Sequence, residues 1–391
     1  MSFADTITIA ALETDPFPIY ARLRRDSPVA YVPAANTWFA TRWADVDTIA
    51  KDTTTYSAEA PDNPINAAFG TPNILTSDGP AHRALRDGVE PHYRARKVQE
   101  YIENLVRPLA ETQLATYLAA DNTDLMSGYF EPVSALCLAR SFGLQDTDAA
   151  TLRRWFHGLS QGAINFERDP ARAAISTRTV AEVDAAILPL LARLAKTPDG
   201  SPLSHMLHSN MPAGQTRAPE AILPTVKIIL LGGMQEPGHG AGTVLTGLLD
   251  HPDQMAALRA DLDALLPQAV DEGLRWIAPI GTMSRITTCD TVLGGTPLPR
   301  GSQIAAIFAS ANRDETRFAN PDAFDIFRPR ASHAAFGIGQ HFCAGKWFAK
   351  AQIEILLRVL FEHFPQITRA GPAAPFNGWE FRAPTALHIA H

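Results

Sequence analysis

One stretch carries most of the information in this sequence: Phe336-Gly337-Ile338-Gly339-Gln340-His341-Phe342-Cys343-Ala344-Gly345. Its glycines allow the backbone to approach a flat ligand more closely than other residues would allow. A helical pattern follows over residues 344–363, with apolar residues at roughly the 3.6-residue period. Cys343 is therefore predicted at the positive end of a helix, where the dipole and backbone N–H groups favour the thiolate. The stretch predicts a nucleophilic or metal-binding cysteine, with Phe336 as an apolar wall beside it.

Composition is that of an ordinary globular protein, with 46% hydrophobic and 19% charged residues among 391. The net charge of −7 argues against nucleic acid or an anionic membrane as a partner. Cys137, Cys289 and Cys343 are too widely spaced for a disulfide framework or a zinc site. Residues 1–20 lack a signal-peptide pattern, and no apolar run reaches the ~18 residues of a membrane span. We therefore expect a cytoplasmic protein with one domain over residues 1–391.

Helical patterns dominate the chain, and short strands are predicted at residues 29–32, 37–40, 291–299 and 303–308. Two stretches, residues 60–72 and 198–216, are interpreted as loops because they are rich in proline, glycine and polar residues. The longest helical pattern, residues 220–249, is interrupted by glycines and Pro237. Such residues cost about 1 to 3 kcal/mol each inside a helix. A kink with a functional purpose is therefore expected there.

Two pairs of charged or donor side chains have helical spacing. His82 and Arg86 are four positions apart, so they share one helix face and could bind an anion together. Glu272 and Arg275 are three positions apart and could form an ion pair. On spacing alone, however, such pairs are usually part of a solvated helix face.

The stretch around Cys343 resembles the haem-binding signature of the cytochrome P450 monooxygenases, F-x-x-G-x-H-x-C-x-G, at every fixed position. A lone cysteine is as readily a small buried residue as a ligand, and the flanking pattern favours the ligand. The resemblance covers essentially the whole chain and implies a mainly α, triangular fold with small β-sheets. It also implies haem b as the cofactor, with Cys343 as the proximal iron ligand. The cofactor contacts implied in this way are Cys343, His341, Arg285, His82, Arg86, Phe336, Gly337 and Gly345.

The same resemblance assigns roles to residues elsewhere in the chain. Glu272, Arg275 and Arg328 match a buried network that stabilises the fold in this family. At the kink of the long helix, the family carries an acid followed by a threonine, whereas this chain has Gln235 and Glu236. The threonine is missing, which makes Glu236 our candidate for its role in proton delivery to dioxygen.

Three separated segments are similar to a bacterial branch of aromatic O-demethylases that act on guaiacol and 4-alkylguaiacols. They are residues 211–217, 233–240 and 378–385. The resemblance implies demethylation of a small methoxyphenol to a catechol and formaldehyde. The implied substrate-binding residues are Phe69, Leu75, Ala163, Ile228, Gly232, Ile280 and Phe381. Ala163 stands where a phenylalanine is expected, which predicts tolerance of a para-alkyl group. On the residues alone, Phe69 and Leu75 could equally pack onto the core.

Electrons must come from a partner, because the chain has no flavin-binding or iron–sulfur pattern. The resemblance implies an NADH-dependent iron–sulfur flavin reductase. Lys346 and Lys350, just after Cys343, could meet its acidic surface, or could simply form a solvated helix face. Three alternatives remain: a peroxide-driven peroxygenase, a hydroxylase of another small apolar or aromatic compound, and a haem-binding sensor without turnover.

Overall fold

Helices make up 57% of the computed structural model, which describes residues 2–120 and 123–390. The mainly α prediction is thereby confirmed. The α-helices are α1 (Ile9–Thr14), α2 (Phe17–Asp26), α3 (Trp43–Lys51), α4 (Pro64–Phe69), α5 (Gly79–Tyr93), α6 (Ala95–Ala119), α7 (Glu131–Ser141), α8 (Ala149–Ala163), α9 (Pro170–Lys196), α10 (Pro202–His208), α11 (Leu223–Met234), α12 (Glu236–Asp250), α13 (Pro252–Ala260), α14 (Leu262–Trp276), α15 (Phe308–Ala311) and α16 (Lys346–His363). Among the residues described, no helix is both long and apolar enough to cross a bilayer.

The strands form small sheets beside the helices. They are β1 (Val29–Val32), β2 (Thr37–Ala40), β3 (Tyr56–Ser57), β4 (Thr282–Thr287), β5 (Thr291–Leu293), β6 (Thr296–Leu298), β7 (Gln303–Ile307), β8 (Thr368–Arg369), β9 (Phe376–Asn377), β10 (Ala383–Pro384) and β11 (Ile389–Ala390). The largest sheet has the order β1-β2-β7-β4-β3. In it, β2 and β7 are parallel and the other pairs are antiparallel. The predicted hairpin of β1 and β2 is confirmed, with Val29 opposite Ala40.

The long helix is central to the core and is interrupted where the glycines and proline predicted a kink. It consists of α11 and α12, with Gln235 between them. Every residue of α12 from Glu236 to Leu248 is buried. The backbone at Phe130 packs closely against α12 at Gly238, where a Cβ would lie 2.7 Å from the Phe130 carbonyl oxygen. Only glycine permits this crossing without a shift of the backbone.

Both stretches interpreted as loops contain a helix, so these two predictions were wrong. Residues 60–72 include α4, and residues 198–216 include α10. The Asn63 side chain accepts a hydrogen bond from the Ile65 amide, and Ser201 caps α10 in the same manner. Each capping residue is followed by a proline in the first turn. The residues that indicated a loop are in fact helix-start signals.

The predicted network around Glu272 is present and almost fully buried. Arg275 donates to both carboxylate oxygens of Glu272 at 2.7 Å, and Arg328 Nε lies 3.2 Å from the same carboxylate. Arg275 also donates to the carbonyl oxygens of Asn312 and Pro321. The network therefore ties the irregular segment that precedes the Cys343 stretch to α14.

Candidate active site

A cavity of about 370 Å³ lies between α12, β4 and the stretch that carries Cys343. Its walls are mainly aliphatic and aromatic. Most of the residues predicted to bind cofactor or substrate line it, together with the candidate catalytic residue Glu236, although they come from distant parts of the chain. These residues are Leu75, Arg86, Ala163, Ile228, Gly232, Glu236, Ile280, Arg285, Phe336, Gly337, His341, Cys343, Gly345 and Phe381. The fold thus brings them to one site.

Backbone geometry holds the Cys343 stretch against the cavity. Gly337 and Gly339 have φ angles of 72° and 74°, a region that favours glycine. A Cβ on Gly339 would lie 2.3 Å from the carbonyl oxygen of Ala50, so this turn packs tightly against α3. The Cys343 amide donates to the Phe336 carbonyl at 2.8 Å and closes the loop. The following helix begins at Lys346, two residues later than predicted.

The sulfur of Cys343 faces the cavity and is otherwise enclosed by protein. Burial raises the pKa of its thiol, while the backbone N–H of Gly345 and the charge of Arg86 oppose this rise. In the protein alone, burial therefore opposes the preference for the thiolate that the helix end predicts. A bound metal cation would reverse the balance, because a coordinating thiol loses its proton.

Arg285 on β4 is a buried cation on the cavity wall. Its Nε and Nη2 have no hydrogen-bond partner among the residues described, and burial lowers its pKa to about 10. Leaving such donors unpaired costs about 1–3 kcal/mol or more. The side chain is therefore suited to an anionic group inside the cavity.

Three further donors predicted to hold the cofactor belong to the stretch around Cys343 or contact it. Arg86 lines the cavity and donates to the carbonyl oxygen of Phe342 at 2.8 Å. His341 Nε2 lies 2.9 Å from a carboxylate oxygen of Asp78. His82 is not among the residues of the cavity wall, and its ring is tilted by 31° against that of His341 with the ring centres 4.1 Å apart. Its buried Nε2 has no partner among the residues described.

At the kink, Glu236 faces the cavity and Gln235 does not. Glu236 Oε2 accepts a hydrogen bond from the Gln235 amide at 3.2 Å, whereas its Oε1 is buried without a partner among the described residues. Burial raises the pKa of Glu236 to about 7, although the nearby His239 opposes the shift. Near neutral pH, this carboxyl group can therefore both hold and release a proton.

The predicted substrate-binding residues lie on the cavity wall with one exception. Phe69 is 3% exposed and packs in the main hydrophobic core, so its placement in the pocket was wrong. The cause is α4, which ends at Phe69 and turns this side chain inward. Gly232 opens onto free space, because a Cβ there would meet nothing within 4 Å.

Sequence reasoning missed a polar pair in the cavity formed by Glu380 and Thr282. Both residues line the wall, and the Thr282 hydroxyl donates to Glu380 Oε2. Burial raises the pKa of Glu380 to about 7. A bridge between Ile280 and Phe381 places the two segments side by side. Glu380 belongs to one of the segments that resemble the O-demethylases, but nothing in the sequence indicated that this carboxyl group is enclosed.

The two lysines predicted to meet a partner differ in their availability. Lys350 Nζ donates to Asp271 at 2.6 Å, and its side chain is only 13% exposed. Lys346 Nζ lies 5.1 Å from the ring centres of both Phe342 and Trp347. Lys346 therefore remains a candidate for docking, whereas Lys350 is engaged within the chain.

Comparison with known proteins identifies the family. The family model for cytochrome P450 matches residues 202–377. The chain is 31% identical over 372 residues to the cytochrome P450 monooxygenase PikC of Streptomyces venezuelae, covering 90% of this chain and 85% of PikC. The chain belongs to the cytochrome P450 family. It is also 30% identical to the steroid C26-monooxygenase of Mycolicibacterium smegmatis, covering 80% of this P450 and 76% of that enzyme.

Solved structures agree with this assignment. Cytochrome P450 CYP109Q5 from Chondromyces apiculatus superposes with a TM-score of 0.85 and 26% identity, covering 99% of this P450 and 98% of that chain. The predicted P450 fold is confirmed. The relatives act on diverse substrates, so membership of the family establishes a monooxygenase without its substrate.

P450 proteins bind haem b, and the residues of this cavity fit that cofactor. The sulfur of Cys343 is directed into the cavity, and glycines at 337 and 345 leave its surroundings open. The unpaired nitrogens of Arg285 suit the negatively charged carboxylates of haem. The apolar walls suit the porphyrin ring.

Proposed function

We propose that this P450 demethylates a small methoxyphenol, guaiacol or a 4-alkylguaiacol, to a catechol and formaldehyde. Dioxygen is the oxidant, and an NADH-dependent iron–sulfur flavin reductase supplies the electrons. The three segments that resemble aromatic O-demethylases suggest this reaction. The observation that carries the proposal is an apolar cavity containing a polar pair, Glu380 and Thr282, that none of the haem contacts uses.

The haem-binding roles follow from the side chains around the cavity. Cys343 would hold the iron, while Arg285, Arg86, His341 and His82 would lie on the side of the haem carboxylates. Haem bound through a cysteine thiolate supplies the activation of dioxygen for insertion of one oxygen atom into a C–H bond. The protein contributes the ligand, the orientation of the substrate, the exclusion of water and the supply of protons.

The reaction balances with these components. One oxygen atom of dioxygen enters a C–H bond of the methoxy group, and the other becomes water with two electrons from NADH and two protons. The resulting hemiacetal then loses formaldehyde. Its aryl C–O bond stays intact, and the phenolic oxygen keeps the electron pair of the broken bond and takes a proton. Glu236, with its pKa of about 7 at the cavity wall, is our candidate for supplying protons.

The walls of the cavity support the proposal of a small aromatic substrate that carries a hydroxyl group. Its aliphatic and aromatic walls include Ile228, Ile280 and Phe381. The Thr282 hydroxyl donates a hydrogen bond to Oε2 of Glu380. The other carboxylate oxygen, Oε1, can therefore accept a hydrogen bond from a phenol. The substrate would thus be held by one directional contact within otherwise apolar surroundings.

Binding followed by product analysis tests this proposal. Guaiacol, 4-propylguaiacol and 1,2-dimethoxybenzene, which lacks the phenolic hydroxyl, would be titrated by the haem spin-state shift. We expect Glu380→Leu to weaken guaiacol about 10-fold or more, since a hydrogen bond to a charged group contributes about 1.5–3 kcal/mol, and to leave 1,2-dimethoxybenzene unchanged. Formaldehyde and catechol should form in step with NADH consumption. Absence of both products with every methoxyphenol would refute the proposed substrate class.

A peroxygenase is a second candidate, favoured by the position of Glu236. Its carboxyl group faces the cavity where the family usually carries a threonine, and such a group could accept and return a proton of hydrogen peroxide. Turnover with hydrogen peroxide alone would be compared with turnover with NADH and the reductase. Faster demethylation with peroxide would favour this alternative.

A further inference from the structure

A group of ionisable side chains extends from the cavity wall toward the protein surface on the far side of α12. It begins at Glu236, which faces the cavity, and continues one turn later with His239. The His239 side chain is 8% exposed, and its Nε2 lies 3.6 Å from Glu131 Oε1 at the start of α7. The separation is that of an ion pair and slightly exceeds a hydrogen bond.

The outer end of this group reaches solvent on α8. The second oxygen of Glu131 lies 3.4 Å from Arg153 Nε, and the Arg153 side chain is 50% exposed. His157, one turn further along α8, is exposed as well. Burial raises the pKa of Glu131, but His239, Arg153 and His157 together hold it below its usual value. Glu131 is therefore ionised at neutral pH and forms an anionic contact between His239 and the surface.

A purely structural ion pair does not account for the polar atoms that remain unpaired here. His239 Nδ1 and Glu236 Oε1 are both buried without a hydrogen-bond partner among the residues described. Each such group costs about 1–3 kcal/mol. The Phe156 ring, 6.1 Å from the His239 ring, closes one side of the imidazole with an apolar surface. An imidazole with one nitrogen facing an anion and the other free is arranged to accept a proton at one nitrogen and release one from the other.

We propose that His239, held by Glu131, delivers protons from the solvent-exposed edge of α8 to Glu236. A proton from water reaches Glu131 and passes to Nε2 of His239, while the proton on Nδ1 leaves to the Glu236 carboxylate. One proton has then moved from water to Glu236, and the imidazole has changed from the Nδ1–H to the Nε2–H tautomer, which rotation of the ring reverses before the next transfer. No electrons move. Small side-chain movements or bridging waters would cover the 3.6 Å gap between His239 and Glu131 and the separation between His239 Nδ1 and Glu236, which are not hydrogen-bonded to each other. The inference rests on the proposed role of Glu236 and does not depend on the identity of the substrate.

Hydrogen–deuterium exchange of the Glu236 carboxyl group tests the route directly. Infrared difference spectroscopy of the haem-loaded protein, transferred into D₂O, follows the C=O stretch of this group, and Glu236→Gln identifies the band. We expect Glu131→Gln and His239→Gln each to slow the exchange by roughly 10-fold or more. Glu182→Gln is the matched control, because it changes an exposed carboxylate that pairs with Arg154, the residue of α8 next to Arg153.

A second readout follows the consequence for turnover. Slower proton supply should raise the solvent deuterium isotope effect on NADH oxidation and divert reducing equivalents to hydrogen peroxide in Glu131→Gln but not in Glu182→Gln. Exchange as fast as wild type in both relay variants would overturn the proposal and mean that protons enter through the cavity. If His239→Gln does not retain haem, the exchange rate in Glu131→Gln alone decides whether the relay exists. Wild-type protein that leaves methoxyphenols unconverted would refute the proposed substrate, while the exchange measurement would still test the relay.

Discussion

Substitution of Ala163 by phenylalanine tests whether this residue provides space for a para-alkyl group. Ala163 is the last residue of α8, is 5% exposed and lines the cavity. Each buried CH₂ group contributes about 0.8 kcal/mol. A propyl group that enters this space should therefore stabilise the complex by up to about 2.4 kcal/mol, which is roughly 50-fold in Kd. In wild-type protein, we expect 4-propylguaiacol to bind more tightly than guaiacol by up to this factor.

In Ala163→Phe, the aromatic ring would fill the space beside the substrate, so the ratio of the two Kd values should fall toward one. Ala163→Val should give an intermediate ratio. Ala150→Phe, in the exposed first turn of the same helix, controls for the effect of adding a phenylalanine to α8. Spin-state titrations of the four proteins with both ligands give the ratios. An unchanged ratio in Ala163→Phe, or tighter binding of guaiacol in wild type, would show that the para position does not point toward this residue.

Three further predictions concern stability, measured by denaturant unfolding. Glu272→Ala leaves the buried Arg275 without its anionic partner, so we expect a loss of about 3–5 kcal/mol. Gly238→Ala should cost about 1–3 kcal/mol because its Cβ would meet backbone atoms at 2.7 Å, whereas Gly232→Ala, with nothing within 4 Å, should not destabilise the protein. Burial raises the folded-state pKa of Glu236 to about 7, so wild type should lose stability relative to Glu236→Gln as pH rises from 4.5 to 7, by up to about 3 kcal/mol. If the difference in the free energy of unfolding between wild type and Glu236→Gln stayed constant from pH 4.5 to 7, the raised pKa of Glu236 would be contradicted.

Local patterns in the sequence located most of the fold and the cofactor end of the site. The signature around Cys343, the helical periodicities and the interruption near Gln235 depend on residues close together in the chain, and each was found where it was expected. The errors at α4 and α10 had a local cause as well. Asn63-Pro64 and Ser201-Pro202 are typical both of loops and of helix starts, and only the next few residues of the chain distinguish a loop from a helix.

Enclosure of individual carboxyl groups could not be predicted, because it depends on contacts between distant segments. Glu380 is enclosed where its segment meets β4, about a hundred residues earlier in the chain. Glu131 approaches His239 only because α7 crosses α12 at Gly238. In the sequence, both glutamates resemble ordinary surface residues. Their burial, and with it the raised pKa of Glu380 and the contact of Glu131 with His239, becomes evident only in the folded chain.

The charges around the cavity also favour a neutral substrate. Arg285 provides unpaired positive charge on the side proposed for the haem carboxylates. Once Arg285 pairs with a haem carboxylate, it is not available to the substrate. The ionisable side chains that remain for the substrate are the acids Glu236 and Glu380. Near neutral pH each acid is partly ionised, so a carboxylate on the substrate would meet repulsion and lose its hydration without a partner. A phenol instead has a hydroxyl group that can donate a hydrogen bond to the carboxylate of either acid. The same apolar walls would therefore admit guaiacol and exclude its benzoate counterpart.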